Sequence, residues 1–220
     1  MGVTIDEILV GDEPDTWRAA GYAVDGDGTC RIGRVRVRLV GRDGGKRILG
    51  WSLRDAPAAR LADGTLDGIP TTASQEAPVE PETHPNGALY IDHVVLLTPD
   101  LARTIGALAS VGVHPRGERD SDTYGAPMRQ VFFRLGEVIL ELIGQIDSAG
   151  EGAPGFFGLA VTVDDLDALG SLLGEHLGQA KDAVQEGRRI ATLRHRDLGM
   201  SVATAFMTPG AGSITEEATA

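Results

Sequence analysis

The chain has 220 residues, enough for one large or two small domains, and its shares of hydrophobic residues, 42%, and charged residues, 24%, are typical of a globular protein. The formal net charge is −12 and no segment forms a basic face, so we expect no nucleic-acid partner. Cys30 is the single cysteine and cannot form a disulfide within the chain. No apolar run is long enough for a signal peptide or a membrane span, so we expect a cytoplasmic protein with no membrane partner.

The first predicted unit covers residues 1–56 and contains a strand, a short helix and further strands. An apolar strand opens near Ile5, the last strand of the unit is predicted within 31–41, RIGRVRVRLVG, and an extra strand is predicted at 47–54. The glycine-rich run at 41–46, GRDGGK, lacks the Ser or Thr and the following helix of a phosphate-binding loop. It is therefore predicted to be a turn.

Two segments are predicted to lack regular structure. Residues 57–88 are predicted to be a linker, because their second half, TTASQEAPVEPETHPNG, is dominated by Pro, Glu, Ser and Thr and keeps no apolar period. Residues 209–220, PGAGSITEEATA, are predicted to form a flexible tail.

The second unit begins with a largely apolar strand at 90–97. Thr98 is predicted to cap a helix with Pro99 at its first position, and apolar residues at helical spacing continue that helix until Gly112 ends it. Three strands are predicted to follow, at 113–119, 128–134 and 137–144.

The third unit repeats this order of elements. A strand at 159–163 precedes a helix that carries five leucines between 166 and 177 and is capped by Asp164 or Asp165. Two further strands are predicted at 188–195 and 200–207.

A short internal sequence repeat relates the units to one another. The run RLGEVILELIG at 134–144 matches RIGRVRVRLVG at 31–41 without a gap, and Ile5-Asp6-Glu7 matches Ile91-Asp92-His93. The repetition predicts an α+β fold built from repeated β-α-β-β-β modules, with curled mixed sheets and the helices outside.

The second and third units resemble the vicinal oxygen chelate superfamily, which includes glyoxalases, bleomycin-resistance proteins and extradiol dioxygenases. The run IDHVVLLTPDL at 91–101 resembles the opening strand and helix cap of a module, VILEL at 138–142 resembles its closing strand, and LAVTVDDL at 159–166 resembles the opening of another module. The arrangement resembles glyoxalase-like proteins of high-GC bacteria. The resemblance implies that two modules within 89–208 pair around a cleft, and that 1–56 is a degenerate module.

In this superfamily the ligands of a divalent metal ion come from the first and last strands of each module. The resemblance places these positions, in chain order, at Glu7 and Arg38, at His93 and Glu141, and at Gly158 and Thr204. A catalytic ion typically needs three protein ligands or more, so we expect no metal cofactor. The alternative is one divalent metal ion held by His93, Glu141 and Glu7, which the guanidinium of Arg38 would oppose.

His93 and Glu141 are the candidate catalytic residues. His93 is either a hydrogen-bonded histidine of the strand or a general acid/base, and Glu141 is either neutralised by a neighbour or faces a polar cleft. The predicted function is binding of a small organic molecule in the cleft without a complete metal site. The alternative is a metal-dependent lyase, isomerase or dioxygenase that uses His93 and Glu141.

Further candidate ligand-binding residues are cationic or hydroxylic and lie on the later strands. Arginines there either clamp an anion in the cleft or are surface charges. The candidates are Arg129, Arg134, Arg189, Arg194 and Thr204. Because 1–56 has no evident internal partner, we expect it to pack against a second chain and form a homodimer.

Overall fold

A computed structural model describes residues 2–122 and 126–210 and shows two mixed β-sheets with short helices. The first sheet has the strand order β2-β3-β1-β4-β6-β5 and consists of β1 (Thr4–Val10), β2 (Thr29–Ile32), β3 (Val35–Leu39), β4 (Ile48–Arg54), β5 (Thr65–Leu66) and β6 (Ile69–Ser74). The helices are α1 (Pro14–Ala19), α2 (Leu101–Ser110) and α3 (Leu166–Leu173), with single 3-10 turns at Ala58–Arg60, Gly174–His176 and His195–Leu198.

The second sheet has eight strands in the order β12-β13-β14-β11-β7-β10-β9-β8. These are β7 (Ala88–Leu97), β8 (Pro115–Ser121), β9 (Met128–Leu135), β10 (Val138–Gln145), β11 (Gly155–Val163), β12 (Lys181–Asp182), β13 (Arg189–Thr192) and β14 (Ala203–Met207). None of the helices in the described part of the chain is long and apolar enough to cross a bilayer.

Both sheets follow one pairing rule. In the second sheet β7 is parallel to β10, β11 is parallel to β14, and β7 joins β11 antiparallel. In the first sheet β1 is parallel to β3, β4 is parallel to β6, and β1 joins β4 antiparallel. The predicted α+β fold of repeated modules is therefore confirmed, and the first sheet contains two shortened modules rather than one.

The sequence repeat at 31–41 and 134–144 forms the same β-hairpin in two modules. Gly33 and Gly136, which occupy the same place in the two matching runs, both adopt a positive φ, 60° and 70°. Each forms the turn before the last strand of its module, β3 and β10, and glycine adopts this conformation without strain. The segment 31–41 is thus the end of one strand, a turn and a second strand, as 134–144 is in the second sheet.

The predicted linker 57–88 contains the second shortened module of the first sheet. β5 and β6 lie within it, and only 75–87 connects the two sheets. Composition misleads here because Thr71, a polar residue, occupies a buried position of β6. Its hydroxyl accepts a hydrogen bond from Trp51 Nε1 at 2.8 Å and donates one to the Ile69 carbonyl at 2.8 Å.

The pairing of β4 with β6 bears on the reason given for the predicted homodimer. That reason was that residues 1–56 have no evident partner within the chain, but β6 lies outside 1–56 and pairs with β4. The homodimer itself stays a prediction. The two sheets also share one core, in which the rings of Tyr22 and Phe206 lie 6.3 Å apart and those of Trp51 and Phe156 lie 5.2 Å apart.

The helix caps differ by up to two residues from expectation. Asp100, and not Thr98, caps α2, because its carboxylate accepts a hydrogen bond from the Arg103 backbone N–H at 2.9 Å. Thr98 instead bonds within the turn that precedes the helix, to Asp100 and Thr104. Asp165 caps α3, one of the two predicted alternatives.

His84 anchors the connector 75–87 to the first sheet. It is 4% exposed; its Nδ1 accepts a hydrogen bond from the Ala23 backbone N–H at 3.0 Å, so the ring proton lies on Nε2, which donates to the Arg31 carbonyl at 3.0 Å. Burial lowers the pKa of His84 below its ordinary value of 6.5. Protonation of Nδ1 would also break the bond to Ala23.

We expect the free energy of unfolding to fall as the pH is lowered through 6.5. The reason is that His84 has a lower pKa in the folded chain, so it binds a proton in the unfolded chain at a pH where it stays neutral in the folded chain. The contribution of this histidine to the slope is at most about 1.4 kcal/mol per pH unit. Urea denaturation of wild type and His84→Gln between neutral and mildly acidic pH measures it. His84→Gln should lose that part of the slope, whereas His114→Gln, at an exposed histidine, should keep it.

Candidate ligand-binding cleft

A cleft of about 740 Å³ lies on the second sheet, over the strands where its two modules meet. Side chains from β7, β9, β10, β11, β13 and β14 line it, together with the 3-10 turn at His195–Leu198. Most of the lining is apolar and includes Val95, Leu97, Met128, Ile143 and Ile190. The predicted positions His93, Glu141, Gly158 and Thr204 all contribute to it.

A β-bulge brings Asp92 and His93 together. His93 pairs with Ala160 and Ile91 pairs with Val161, so Asp92 is an extra residue in β7. Neighbours in a regular strand point to opposite faces, and a bulge re-aims such a side chain. As a result Asp92 Oδ1 lies 3.0 Å from His93 Nδ1.

The first sheet carries the same irregularity at the matching position. Ile5 pairs with Leu53 and Glu7 with Ser52, which leaves Asp6 as the extra residue of β1. Asp6 is buried and forms ion pairs with Arg36 and Arg54. The repeated Ile-Asp pair thus marks the same β-bulge in the first strand of each sheet, β1 and β7.

Asp92 is held as a carboxylate. Burial alone would raise its pKa, but hydrogen bonds from His93 and Arg188 together with the charge of Arg188 lower the pKa to about 2. Arg188 Nη2 lies 2.6 Å from Asp92 Oδ2, and the Thr162 hydroxyl donates to the same oxygen at 3.2 Å. An ionised carboxylate only accepts, so Nδ1 of the His93 ring donates to Asp92, and Nε2 points toward Glu141.

Glu141 faces His93 across the parallel strands β7 and β10. Its Oε2 lies 3.7 Å from His93 Nε2, while its Oε1 accepts a hydrogen bond from Gln130 Nε2 at 2.5 Å. Gln130 in turn accepts from Arg119 Nε at 2.7 Å. Two hydrogen-bonded groups, Arg119–Gln130–Glu141 and His93–Asp92–Arg188, therefore meet in the sheet, with His93 Nε2 and Glu141 Oε2 3.7 Å apart between them.

The third module offers no metal ligand at the matching positions. Glu141 lies opposite Val95, two residues after His93; two residues after Gly158 is Ala160, whose partner is Ala205. The register thus makes Ala205 the equivalent of Glu141. Thr204, the predicted position, lies one residue earlier, is 2% exposed and donates its hydroxyl to the Val202 carbonyl.

Gly158 cannot be replaced by a ligand residue in this backbone. A Cβ atom there would lie 2.1 Å from the carbonyl oxygen of Ala203 on β14.

Glu7 does not complete a set of metal ligands with His93 and Glu141, because it lies on the first sheet and accepts a hydrogen bond from Arg38 Nε at 2.8 Å. Within residues 2–122 and 126–210 no group of three His, Cys, Asp or Glu is arranged to hold a metal ion. The residues present therefore do not fit a resident catalytic metal.

The four arginines predicted to bind ligand do not lie in the cleft. Arg129 Nε lies 2.7 Å from Asp120 Oδ1, and Arg189 Nη1 lies 3.1 Å from Asp167 Oδ2. Arg134 lines a different pocket beside Glu137, and Arg194 is exposed. Strand alternation separated the faces of these strands but could not indicate which face belonged to the cleft.

Sequence reasoning missed three polar residues of the site. Asp92 was noted only as part of the repeated Ile-Asp pair, which was the signal for the bulge at this position. Gln130 carried no signal. His195 was assigned to the strand 188–195, but β13 ends at Thr192 and His195 opens a 3-10 turn at the mouth of the cleft.

No family model matches the chain, and no curated protein sequence is similar to it. Among solved structures, a triple mutant of 4-hydroxymandelate synthase from Streptomyces coelicolor is similar with a TM-score of 0.60 and 13% identity, over 96% of this chain and 95% of that one. A xylose isomerase-like TIM barrel/4-hydroxyphenylpyruvate dioxygenase fusion protein gives a TM-score of 0.62 and 14% identity, over 97% of this chain and 50% of that one. Methylmalonyl-CoA epimerase from Mycobacterium tuberculosis matches 57% of this chain and 91% of its own, with a TM-score of 0.45 and 22% identity.

These likenesses to the synthase and to the fusion protein establish the fold. The chain has the vicinal oxygen chelate fold, and the similarity to both structures extends over nearly its whole length, including the first sheet.

Proposed function

We propose that this protein binds a small, predominantly apolar organic molecule in the cleft of the second sheet, without a complete metal site. The observation that carries the proposal is the cleft itself, which combines a volume of about 740 Å³ and apolar walls with two convergent polar side chains, His93 and Glu141. Sites for small molecules are typically apolar cavities of roughly 300–1,000 Å³ with a few orienting polar groups.

His93 is the orienting group in this proposal. Asp92 Oδ1 accepts a hydrogen bond from His93 Nδ1 at 3.0 Å, which fixes the orientation of the imidazole and the direction of Nε2. An imidazole oriented by a carboxylate can exchange hydrogen bonds, or a proton, with a polar atom of the ligand at neutral pH. Glu141, held by Gln130, limits where that polar atom can lie.

Blocking the cleft tests the proposal. The replacement Ala205→Trp puts an indole ring into the cavity and is expected to weaken binding of the uncharged fluorescent dye N-phenylnaphthylamine on the order of tenfold or more, about 1.4 kcal/mol. Fluorescence titration measures the dissociation constant. Ala102→Trp, on the exposed side of α2, is the control and should bind the dye like wild type. Equal affinity of all three proteins, or no saturable binding to wild type, would contradict the proposal.

A second candidate is a metal-dependent lyase, isomerase or dioxygenase. The observation that favours it is the approach of His93 Nε2 to Glu141 Oε2 at 3.7 Å inside the cleft, at the positions where the superfamily holds its ion. Metal analysis of protein purified without chelator separates the two candidates. One equivalent of metal that is lost in His93→Ala would favour the enzyme.

A further inference from the structure

A second cavity, which we call the basic pocket, adjoins the cleft. Its volume is about 450 Å³, and it is lined by four cationic side chains, Arg42, Lys46, Arg47 and Arg196. The protein as a whole carries a net charge of −12, whereas the side chains around this cavity are predominantly cationic.

The basic pocket and the cleft share part of their lining. Phe157, His195 and Ala203 line both cavities. The Phe157 side chain is 53% exposed, so its ring offers apolar contact surface where the two cavities adjoin. One molecule can therefore contact both cavities across this shared wall.

Segments from both sheets build the basic pocket. Arg42, Lys46 and Arg47 belong to the glycine-rich turn between β3 and β4, and Arg196 belongs to the 3-10 turn before β14. The Arg47 backbone N–H donates to the Ser201 hydroxyl at 2.6 Å, and the Arg42 guanidinium donates to the Gly199 carbonyl. These bonds hold the turn against the second sheet.

Most of the positive charge in the basic pocket is unpaired. Arg42 lies 3.1 Å from the buried carboxylate of Asp12. In the described part of the chain, no carboxylate pairs with the side chains of Lys46, Arg47 or Arg196. Burial lowers the pKa of His195, and the charges of Arg196 and Arg47 lower it further, so their field reaches the wall that the two cavities share.

We infer that the basic pocket binds the anionic end of the molecule whose apolar body occupies the cleft, so that the ligand is an amphipathic organic anion carrying a phosphate, sulfonate or carboxylate group. This inference rests on the proposed function and specifies its ligand class. Guanidinium and ammonium groups donate charge-assisted hydrogen bonds to such oxyanions, which are about twice as strong as neutral ones.

A pair of dyes with one apolar body tests the inference. Anilinonaphthalene sulfonate carries an anionic group that N-phenylnaphthylamine lacks. The double variant Lys46→Gln/Arg196→Gln is expected to bind the sulfonate dye about tenfold more weakly than wild type and the uncharged dye equally well. The double variant Arg60→Gln/Lys181→Gln removes the same charge at exposed positions outside both cavities and should leave both affinities unchanged.

The outcomes separate this inference from the proposed function. If the uncharged dye binds and Ala205→Trp weakens it, but the sulfonate dye binds Lys46→Gln/Arg196→Gln as tightly as wild type, only the inference is overturned. An equal loss in both double variants also overturns it, because the effect would then come from overall charge. If the uncharged dye does not bind, the proposed function fails. Displacement of the sulfonate dye by decyl phosphate or decanoate, but not by decanol, supports the inference and names the oxyanion.

Discussion

Replacing Ala205 with glutamate is expected to create a divalent-metal site with three protein ligands in the cleft. Ala205 occupies the register position in the third module that Glu141 occupies in the second, and all three side chains, His93, Glu141 and residue 205, line one cleft. The variant Ala205→Glu therefore supplies the third protein ligand and an added negative charge. One histidine with two carboxylates suits Mn²⁺, Fe²⁺ or Zn²⁺.

Calorimetric titration with Mn²⁺ or Zn²⁺ measures the effect. Ala205→Glu should bind the ion on the order of a hundredfold more tightly than wild type, about 2.7 kcal/mol, and should lose that gain when His93→Ala is added. Ala203→Glu is the matched control, because it adds the same charge to the same cleft and strand, two residues from the ligand position. Equally tight stoichiometric binding by wild type would contradict the prediction and favour the metal-dependent enzyme.

The second large effect is expected from Asp12→Ala, which should lower the free energy of unfolding by about 3–5 kcal/mol. Asp12 is fully buried and joins three segments of the chain. Its carboxylate accepts hydrogen bonds from Trp17 Nε1 at 3.2 Å and from the Ser201 backbone N–H at 2.9 Å, and it pairs with Arg42 at 3.1 Å. Alanine leaves these donors buried without their acceptor.

Urea denaturation followed by circular dichroism measures this loss. Asp15→Ala is the matched control, since Asp15 lies three residues away, is exposed and pairs with Arg18 on the surface, where an ion pair contributes less than about 1 kcal/mol. A similar, small change in both variants would show that Asp12 does not hold the segments together. Because Asp12 contacts both Arg42 and Ser201, Asp12→Ala should also disorganise the basic pocket.

Local patterns along the chain were sufficient to predict the main elements of the second sheet. Apolar runs and helical spacing predicted β7, α2, β10, β11 and α3, and the repeated run predicted duplicated modules. These features depend on neighbouring residues, through backbone propensity and the period of side-chain burial. His93 and Glu141 were placed by the resemblance to the vicinal oxygen chelate superfamily, and the cleft contains both.

Local patterns failed where distant residues decide the outcome. β6 appeared to be linker because Thr71 is polar, but a hydrogen bond from Trp51 on the neighbouring strand helps to satisfy its buried hydroxyl. The ion pairs of Arg129 and Arg189 with Asp120 and Asp167 likewise depend on which acidic side chains the fold brings within reach.

The sequence by itself determined the two modules of the second sheet and their order, and its resemblance to the superfamily indicated His93 and Glu141. The tertiary structure decided that the first sheet pairs two shortened modules, that a bulge turns Asp92 toward His93, and that the turn at 41–46 meets the second sheet beside the cleft. Strand pairing and register come from hydrogen bonds and side-chain packing between segments far apart in the chain, which no window of neighbouring residues contains.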